Sequence, residues 1–193
     1  MGRAEVKEEL RTKLRSRRKS ISRINFNKWS KQIRQKLRKQ EEFRAAAVFH
    51  CYVSINERRE VDTHPLIKEV LAEGQRVVVP RTNFNEQKLS HFSLQSFDHL
   101  QLSKWGGLEP TEGKQISEKE LELVIVPMVG ADEDGYRIGY GGGFYDRFLS
   151  ETHCPSIGLC FEQNVVPELP VEPFDIPLNK IITEKRIIHR SGE

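Results

Sequence analysis

The sequence predicts an α/β fold: a single domain, Rossmann-like, built as a three-layer α/β/α sandwich around a mostly parallel central sheet. Three observations predict it. An apolar run from Ala45 to Val53, a helical pattern and a second apolar run from Arg76 to Pro80 follow within about 35 residues, which is the length of a strand-helix-strand unit with parallel strands. The pattern returns from Leu121 to Met128, a near-continuous apolar stretch suited to a strand buried on both faces. The 193 residues contain no dividing linker and fit one ordinary core, so residues 1–193 read as one domain.

Along the chain, Val6, Leu10 and Leu14 recur every fourth residue and predict an amphipathic helix from about Arg3 to Lys19, with Lys7, Arg11, Arg15 and Arg18 on an adjoining stripe. Phe26, Trp29, Ile33 and Leu37 predict a second helix, their aromatics serving as packing. A loop from Ser54 to Asp62 follows the first strand. Thr63 then caps a helix with Pro65 in its first turn, Leu66, Ile67, Val70 and Leu71 on its buried face and Gly74 as its stop. A helix starts at Gly143 and runs to Ser150, and Ser156 to Phe161 and Lys180 to Thr183 are short strands. Ligands of such sheets bind beyond the carboxyl ends of the strands, which singles out the Ser54–Asp62 and Val129–Gly143 loops.

Composition narrows the function. No run reaches the roughly 18 apolar residues of a membrane span, and the charged first twenty residues are no secretory signal, so a cytoplasmic protein without membrane partners is expected. Cys51, Cys154 and Cys160 form no CxxC pair and the six histidines no metal-binding spacing; free thiols in a reducing compartment follow. Charge is uneven. Residues 1–40 form a basic helical segment with fifteen Lys/Arg against three Glu, a net +12, and the rest of the chain carries the −9 that brings the total to +3. Such a segment faces anions: nucleic acid, nucleotide phosphate or a polyanionic small molecule.

Chemistry concentrates between Asp132 and Arg147, where Gly139, Gly141, Gly142 and Gly143 fall within five positions between a strand and a helix. Glycines there let backbone N–H groups close around an anion, and phosphate is the natural one. Arg137 and Arg147 flank the glycines, and Asp146 sits in the first helical turn, where a carboxylate serves either the helix dipole or a Mg²⁺ ion. The GxGGG spacing is neither the dinucleotide fingerprint nor the P-loop.

The run Arg137-Ile138-Gly139-Tyr140-Gly141-Gly142-Gly143-Phe144-Tyr145-Asp146-Arg147 resembles the signature of the 5-formyltetrahydrofolate cyclo-ligases. Lys7-x-x-Leu10-Arg11, Glu60-Val61-Asp62-Thr63, Leu108-Glu109-Pro110 and Phe174-Asp175-Ile176-Pro177-Leu178 match in the same order, so the resemblance spans nearly the whole chain. It implies an ATP- and Mg²⁺-dependent ligase that phosphorylates the formyl oxygen of 5-formyltetrahydrofolate and closes the ring through N10. It also implies roles: ATP on Lys7, Arg11 and Arg137 to Tyr145; the folate on Val53, Glu60 and Tyr140 to Phe144; Mg²⁺ on Asp146 and Asp175; and catalysis by Arg11, Arg137 and Asp146. The Asp175 role requires the Phe174–Leu178 loop to fold back on the glycine loop. Expected partners are ATP and the folate, with or without a polyglutamate tail, and the chain is expected to be a monomer that binds no nucleic acid.

Two positions depart from the family pattern: Phe144 where tyrosine is frequent, and Asn179 where a second acid is common. Trp105 serves either as a stacking surface or as core. A nucleic-acid-binding module is the rival from another class, carried by the +12 segment but without zinc-finger spacing, an aromatic RNA-binding strand or a dimerising heptad.

Overall fold

A computed structural model describes residues 2–190; Met1 and residues 191–193 of the expected domain lie outside them. The basic segment forms helices α1 (Arg3–Lys19) and α2 (Arg23–Leu37), and a short α3 (Glu41–Ala45) leads into the sheet. Strand β1 (Val48–Cys51) is followed by α4 (His64–Ala72), β2 (Arg76–Asn83) and β3 (Lys88–Leu94), and a two-stranded ribbon is made of β4 (Leu100–Leu102) and β5 (Leu108–Pro110). Then come β6 (Leu123–Val126), a small hairpin of β7 (Gly130–Ala131) and β8 (Arg137–Ile138), α5 (Phe144–Ser150), β9 (Ser156–Leu159), β10 (Lys180–Ile182) and β11 (Ile187–His189). The seven-stranded sheet runs β11-β10-β9-β6-β1-β2-β3. Its five inner strands are parallel, and β3 and β11 close the edges antiparallel.

Alternation along the strands divides the core. Phe49, Cys51, Val77, Val79, Leu123 and Ile125 face one side and pack with Phe26, Ile33 and Leu37 of α2 and Leu66, Ile67 and Val70 of α4. Val48, Val78, Val124, Val126 and Ile181 face the other side and meet Phe148 and Leu149 of α5. The sandwich is the expected one, with three local corrections. The first strand is shorter than Ala45–Val53, because Glu41–Ala45 coils into α3. Thr63 occupies the cap position but turns inward: its Oγ1 donates to the Tyr52 carbonyl at 2.8 Å and accepts from Ser54 N at 3.1 Å. Only the carboxyl-terminal half of the α1 stripe is buried. Leu14 is fully buried and Val6 is 39% exposed, and the deepest other residues of α1 are Arg11 and Arg18.

His50 lies on β1, fully buried, with its ring 5.1 Å from His91 and 4.8 Å from Phe148, and neither ring nitrogen has a hydrogen-bond partner within the protein. His91 Nε2 stands 3.4 Å from Glu118. Burial pushes the pKa of both imidazoles down, His50 further, with His91 adding to its shift. Unfolded histidines bind protons below about pH 6.5 while these do not, so stability is full above that pH and falls as pH drops below it. The Tm is predicted to decline from pH 7 to 5. His50→Leu, which removes two stranded nitrogens, is predicted to flatten that decline and to raise Tm at pH 7 by roughly 2–6 °C; a wild-type slope in the variant would refute this account.

Candidate active site

β1 connects to β2 on one side, whereas its parallel neighbour β6 leads to β9 on the other, so the sheet switches direction between them. In open α/β sheets the ligand crevice lies at such a switch point, beyond the carboxyl ends of the strands. The Ser54–Asp62 loop forms one wall, the β7–β8 hairpin with the glycine loop forms the other, and α1 lies across both. Leu14 packs with Val129, Ile138 and Leu169 beneath it.

The glycine loop is held by its carbonyls. Arg11 Nε donates to Gly139 O at 2.8 Å, Arg15 Nη2 to Tyr140 O at 3.4 Å and Arg147 Nη2 to Gly142 O at 2.7 Å. None of these bonds draws on the loop's N–H groups. Gly141 and Gly143 take φ values of 98° and 63°, an alternation that turns successive N–H groups into an anion-binding nest. A Cβ on Gly141 would lie 3.5 Å from the Arg11 guanidinium carbon, an ordinary contact, so the positive φ rather than crowding calls for glycine there. The helix that follows is short, seven residues, and the nest rather than its dipole shapes the site.

Below the loop, Arg137 sits in β8 rather than in the loop expected from the sequence, 8% exposed. Its Nη2 donates to Asp146 Oδ1 at 2.9 Å and its Nη1 to Ile176 O at 2.6 Å, while Ile176 N donates to Asp146 Oδ1 at 3.2 Å. The 174–178 segment therefore folds back on the glycine loop. Burial lowers the Arg137 pKa, and the Asp146 charge opposes that shift. Lys7 Nζ reaches Asp175 Oδ2 at 2.5 Å and Glu172 at 3.2 Å. Asp146 and Asp175 thus each face a cation through one oxygen, Oδ1 of Asp146 and Oδ2 of Asp175. Among the described residues no three His, Cys, Asp or Glu side chains form a cage, but Mg²⁺ held through two carboxylates and substrate phosphates needs none, so the residues fit that ion.

At the other end, Glu60 is 5% exposed and accepts Ile55 N at 2.7 Å through Oε2 and the Tyr140 hydroxyl through Oε1. Tyr140 keeps a third of its surface open (36%), yet its hydroxyl is enclosed between Glu60 and Arg18. Burial first and the Glu60 charge second push its pKa to about 12. The Tyr145 hydroxyl is buried without a protein partner. Burial raises the Cys51 and Cys160 thiols, the latter to about 12, so neither is a nucleophile.

The residues expected at the site thus converge, with two qualifications. The side chains of Val53 and Ile138 are turned into the core, so only their backbone remains for a ligand. Phe144 packs edge-on against Phe84, with ring centroids 5.6 Å apart. Asn179 accepts Ser156 N at 2.9 Å and ties β10 to β9. Sequence reasoning missed Arg18 and Arg58, whose guanidinium groups lie 5.5 and 5.4 Å from the Tyr140 ring centre. For Arg18 the signal was available: it lies seven residues, two turns, beyond Arg11 on the same face. Trp105 is half-buried rather than core, with its carbonyl taking Arg58 Nη2 at 2.8 Å and its Nε1 donating to Glu109 at 3.0 Å.

Arg137→Lys is predicted to untie the 174–178 segment, because a lysine cannot bridge Asp146 and Ile176 O as a planar fork does. The expected outcome is a Tm loss of about 3–8 °C and faster hydrogen exchange at residues 172–178. Unchanged exchange there would contradict the assigned role.

The model of the 5-formyltetrahydrofolate cyclo-ligase family matches residues 3–184. The 5-formyltetrahydrofolate cyclo-ligase of Mus musculus is 26% identical over 93% of this chain and 94% of its own, and that of Escherichia coli K12 is 32% identical over 66% and 74%. The solved structure of Aquifex aeolicus 5,10-methenyltetrahydrofolate synthetase superposes with a TM-score of 0.86 at 29% identity, covering 97% of this chain and 94% of that one. The Mycoplasma pneumoniae synthetase, at 21% identity and a TM-score of 0.74, adds evidence for the fold alone. With its signature residues gathered in one crevice and the family model matched from residue 3 to 184, the chain belongs to the 5-formyltetrahydrofolate cyclo-ligase family.

Proposed function

We propose that the crevice catalyses the ATP-dependent cyclisation of 5-formyltetrahydrofolate to 5,10-methenyltetrahydrofolate, releasing ADP and phosphate. The observation that carries the reading is the junction of two unlike half-sites: a glycine nest backed by arginines, suited to phosphates, joined at Tyr140 to a buried carboxylate, suited to the N–H edge of a pterin. The unpartnered Tyr145 hydroxyl beside them offers a further polar contact.

In this reading Lys7, Arg11 and the 139–143 backbone bind the triphosphate, with Ile138 and Tyr145 supporting the loop from either side. Asp146 and Asp175 hold Mg²⁺. The ion supplies charge neutralisation at the phosphates when bound. Arg137 holds Asp146 in place through its Oδ1, and Arg11 faces the charge that develops on the transferring phosphoryl group. Glu60, the Val53 backbone and residues 140–144 orient the folate. The formyl oxygen bonds to the γ-phosphorus as the bond to the β-phosphate oxygen breaks, releasing ADP. N10 then bonds to the formyl carbon and gives its proton to solvent, and phosphate leaves with the C–O bonding pair. An amide-like carbon becomes electrophilic without any protein nucleophile, so the demand on the protein is positioning. The three cysteines are unpaired, which supports a reducing compartment such as the cytoplasm.

Purified protein with MgATP and 5-formyltetrahydrofolate is predicted to produce the near-ultraviolet absorbance of the methenyl product with ADP and phosphate in equal amounts. ADP formation without the folate would point to a plain ATPase, and no methenyl product from folded protein would end the reading. Asp146→Asn is predicted to keep the fold and to lower turnover at least about tenfold, and Arg11→Ala to weaken ATP binding by about 1.5–3 kcal/mol. Turnover of Asp146→Asn within twofold of wild type at saturating Mg²⁺ would remove Asp146 from the metal site.

A further inference from the structure

We propose that Arg18 is a positioning residue for the folate half of the site: through the Tyr140 hydroxyl it orients the Glu60 carboxylate. The inference rests on the functional reading above for the identity of the bound molecule.

Arg18 uses each of its nitrogens on a different segment. Nε donates to Arg58 O at 2.9 Å in the loop after β1, Nη1 to Met128 O at 2.8 Å just beyond β6, and Nη2 to the Tyr140 hydroxyl at 2.5 Å in the glycine loop. The side chain is enclosed, the residue 3% exposed. A charge buried this deeply persists only where something compensates it. The two carbonyls carry no formal charge, and the hydrogen-bonded chain leads through Tyr140 to Glu60, an equally buried carboxylate.

Proton counting fixes the direction of this chain. A guanidinium only donates, so Tyr140 must accept from Arg18, and its single proton is then directed to Glu60. The other Glu60 oxygen is taken by Ile55 N–H at 2.7 Å. Both oxygens, and hence the plane of the carboxylate, are set before any ligand arrives, which is the preorganisation that spares a binding site its ordering cost. A phenol whose pKa is pushed to about 12 stays a donor throughout the neutral range. Arg18 itself lies behind Tyr140 and acts through it.

Two measurements test the proposal, and its failure is separable from that of the functional reading. The first needs no substrate. Arg18→Met and Glu60→Gln are each expected to lower Tm by roughly 5–10 °C, because each strands a buried charge, and the double variant is expected to lose less than the sum. Additive losses would overturn the link whatever the activity. The second is kinetic. Arg18→Met and Tyr140→Phe are expected to raise the KM for 5-formyltetrahydrofolate about tenfold with the KM for ATP within twofold of wild type. Arg17→Met, on the same helix but bonded to Gln163 O, is expected to change neither. An equal rise in both KM values would mean that Arg18 merely anchors the helix bearing Lys7 and Arg11, and would overturn the positioning role. Should Arg18→Met fail to fold, Tyr140→Phe decides, since it keeps both charges and deletes only the hydroxyl between them; an unchanged folate KM there also overturns it. A less-than-additive Tm cycle in a protein without cyclisation activity would discard the functional reading and retain the link.

Discussion

Parallel pairing of β1 with β6, from Phe49 opposite Leu123 to Cys51 opposite Ile125, is the constraint on which the site depends. Two strands that end at one edge of the sheet and send the chain away in opposite directions leave a gap that regular structure cannot fill. α1 covers it. The helix comes close because Gly130 has no side chain: a Cβ there would lie 2.6 Å from Leu14 Cδ1 and 2.7 Å from Asn164 O. Asn164 Nδ2 in turn donates to Leu14 O at 2.9 Å and Val129 O at 2.6 Å, so one buried amide clamps the helix to the strand end. Packing, not catalysis, thus decides where Lys7, Arg11 and Arg18 point.

The charges of α1 acquire their meaning from that placement. Lys7 and Arg18 are matched inside the crevice by Asp175 and, through Tyr140, by Glu60, and Arg137 is matched by Asp146. Such partly buried pairs are costly to break because the remaining partner is stranded. Exposed pairs such as Arg38 with Glu73, 2.7 Å apart, contribute little by comparison. The +12 of the first forty residues is therefore partly an internal resource, and a count of basic residues overstates the field available to a polyanion outside.

Much of this was legible in the sequence. The strand-helix-strand rhythm identified the parallel sheet, since runs buried on both faces are continuously apolar, and the glycine cluster announced a backbone that must bend and approach something closely. What stayed hidden depended on contacts across the chain. Edge strands β3 and β11 mix polar and apolar residues, so they lacked the continuous apolar signature of the inner strands. Helical spacing sets Arg18 on the stripe of Lys7 and Arg11 and leaves Arg17 off it, but only the tertiary docking of α1 buries Arg18 while Arg17 bonds to the Gln163 carbonyl. The helical spacing of Val6 with Leu14 was real, but the docked length of the helix was not written in it.

The docking of α1 has a consequence for the order in which the molecule comes into being. Lys7 meets Asp175 across 168 residues of chain, and Arg11 meets Gly139 across 128. On a ribosome adding roughly 5–20 residues per second, about ten to thirty seconds separate the appearance of the two halves of the first contact. The basic helix is made early and finds its place late. A nascent fragment lacking the segment between β9 and β10 has neither Asn164 to clamp the helix nor Asp175 to meet Lys7, so the docked arrangement of α1 waits for that segment to be made.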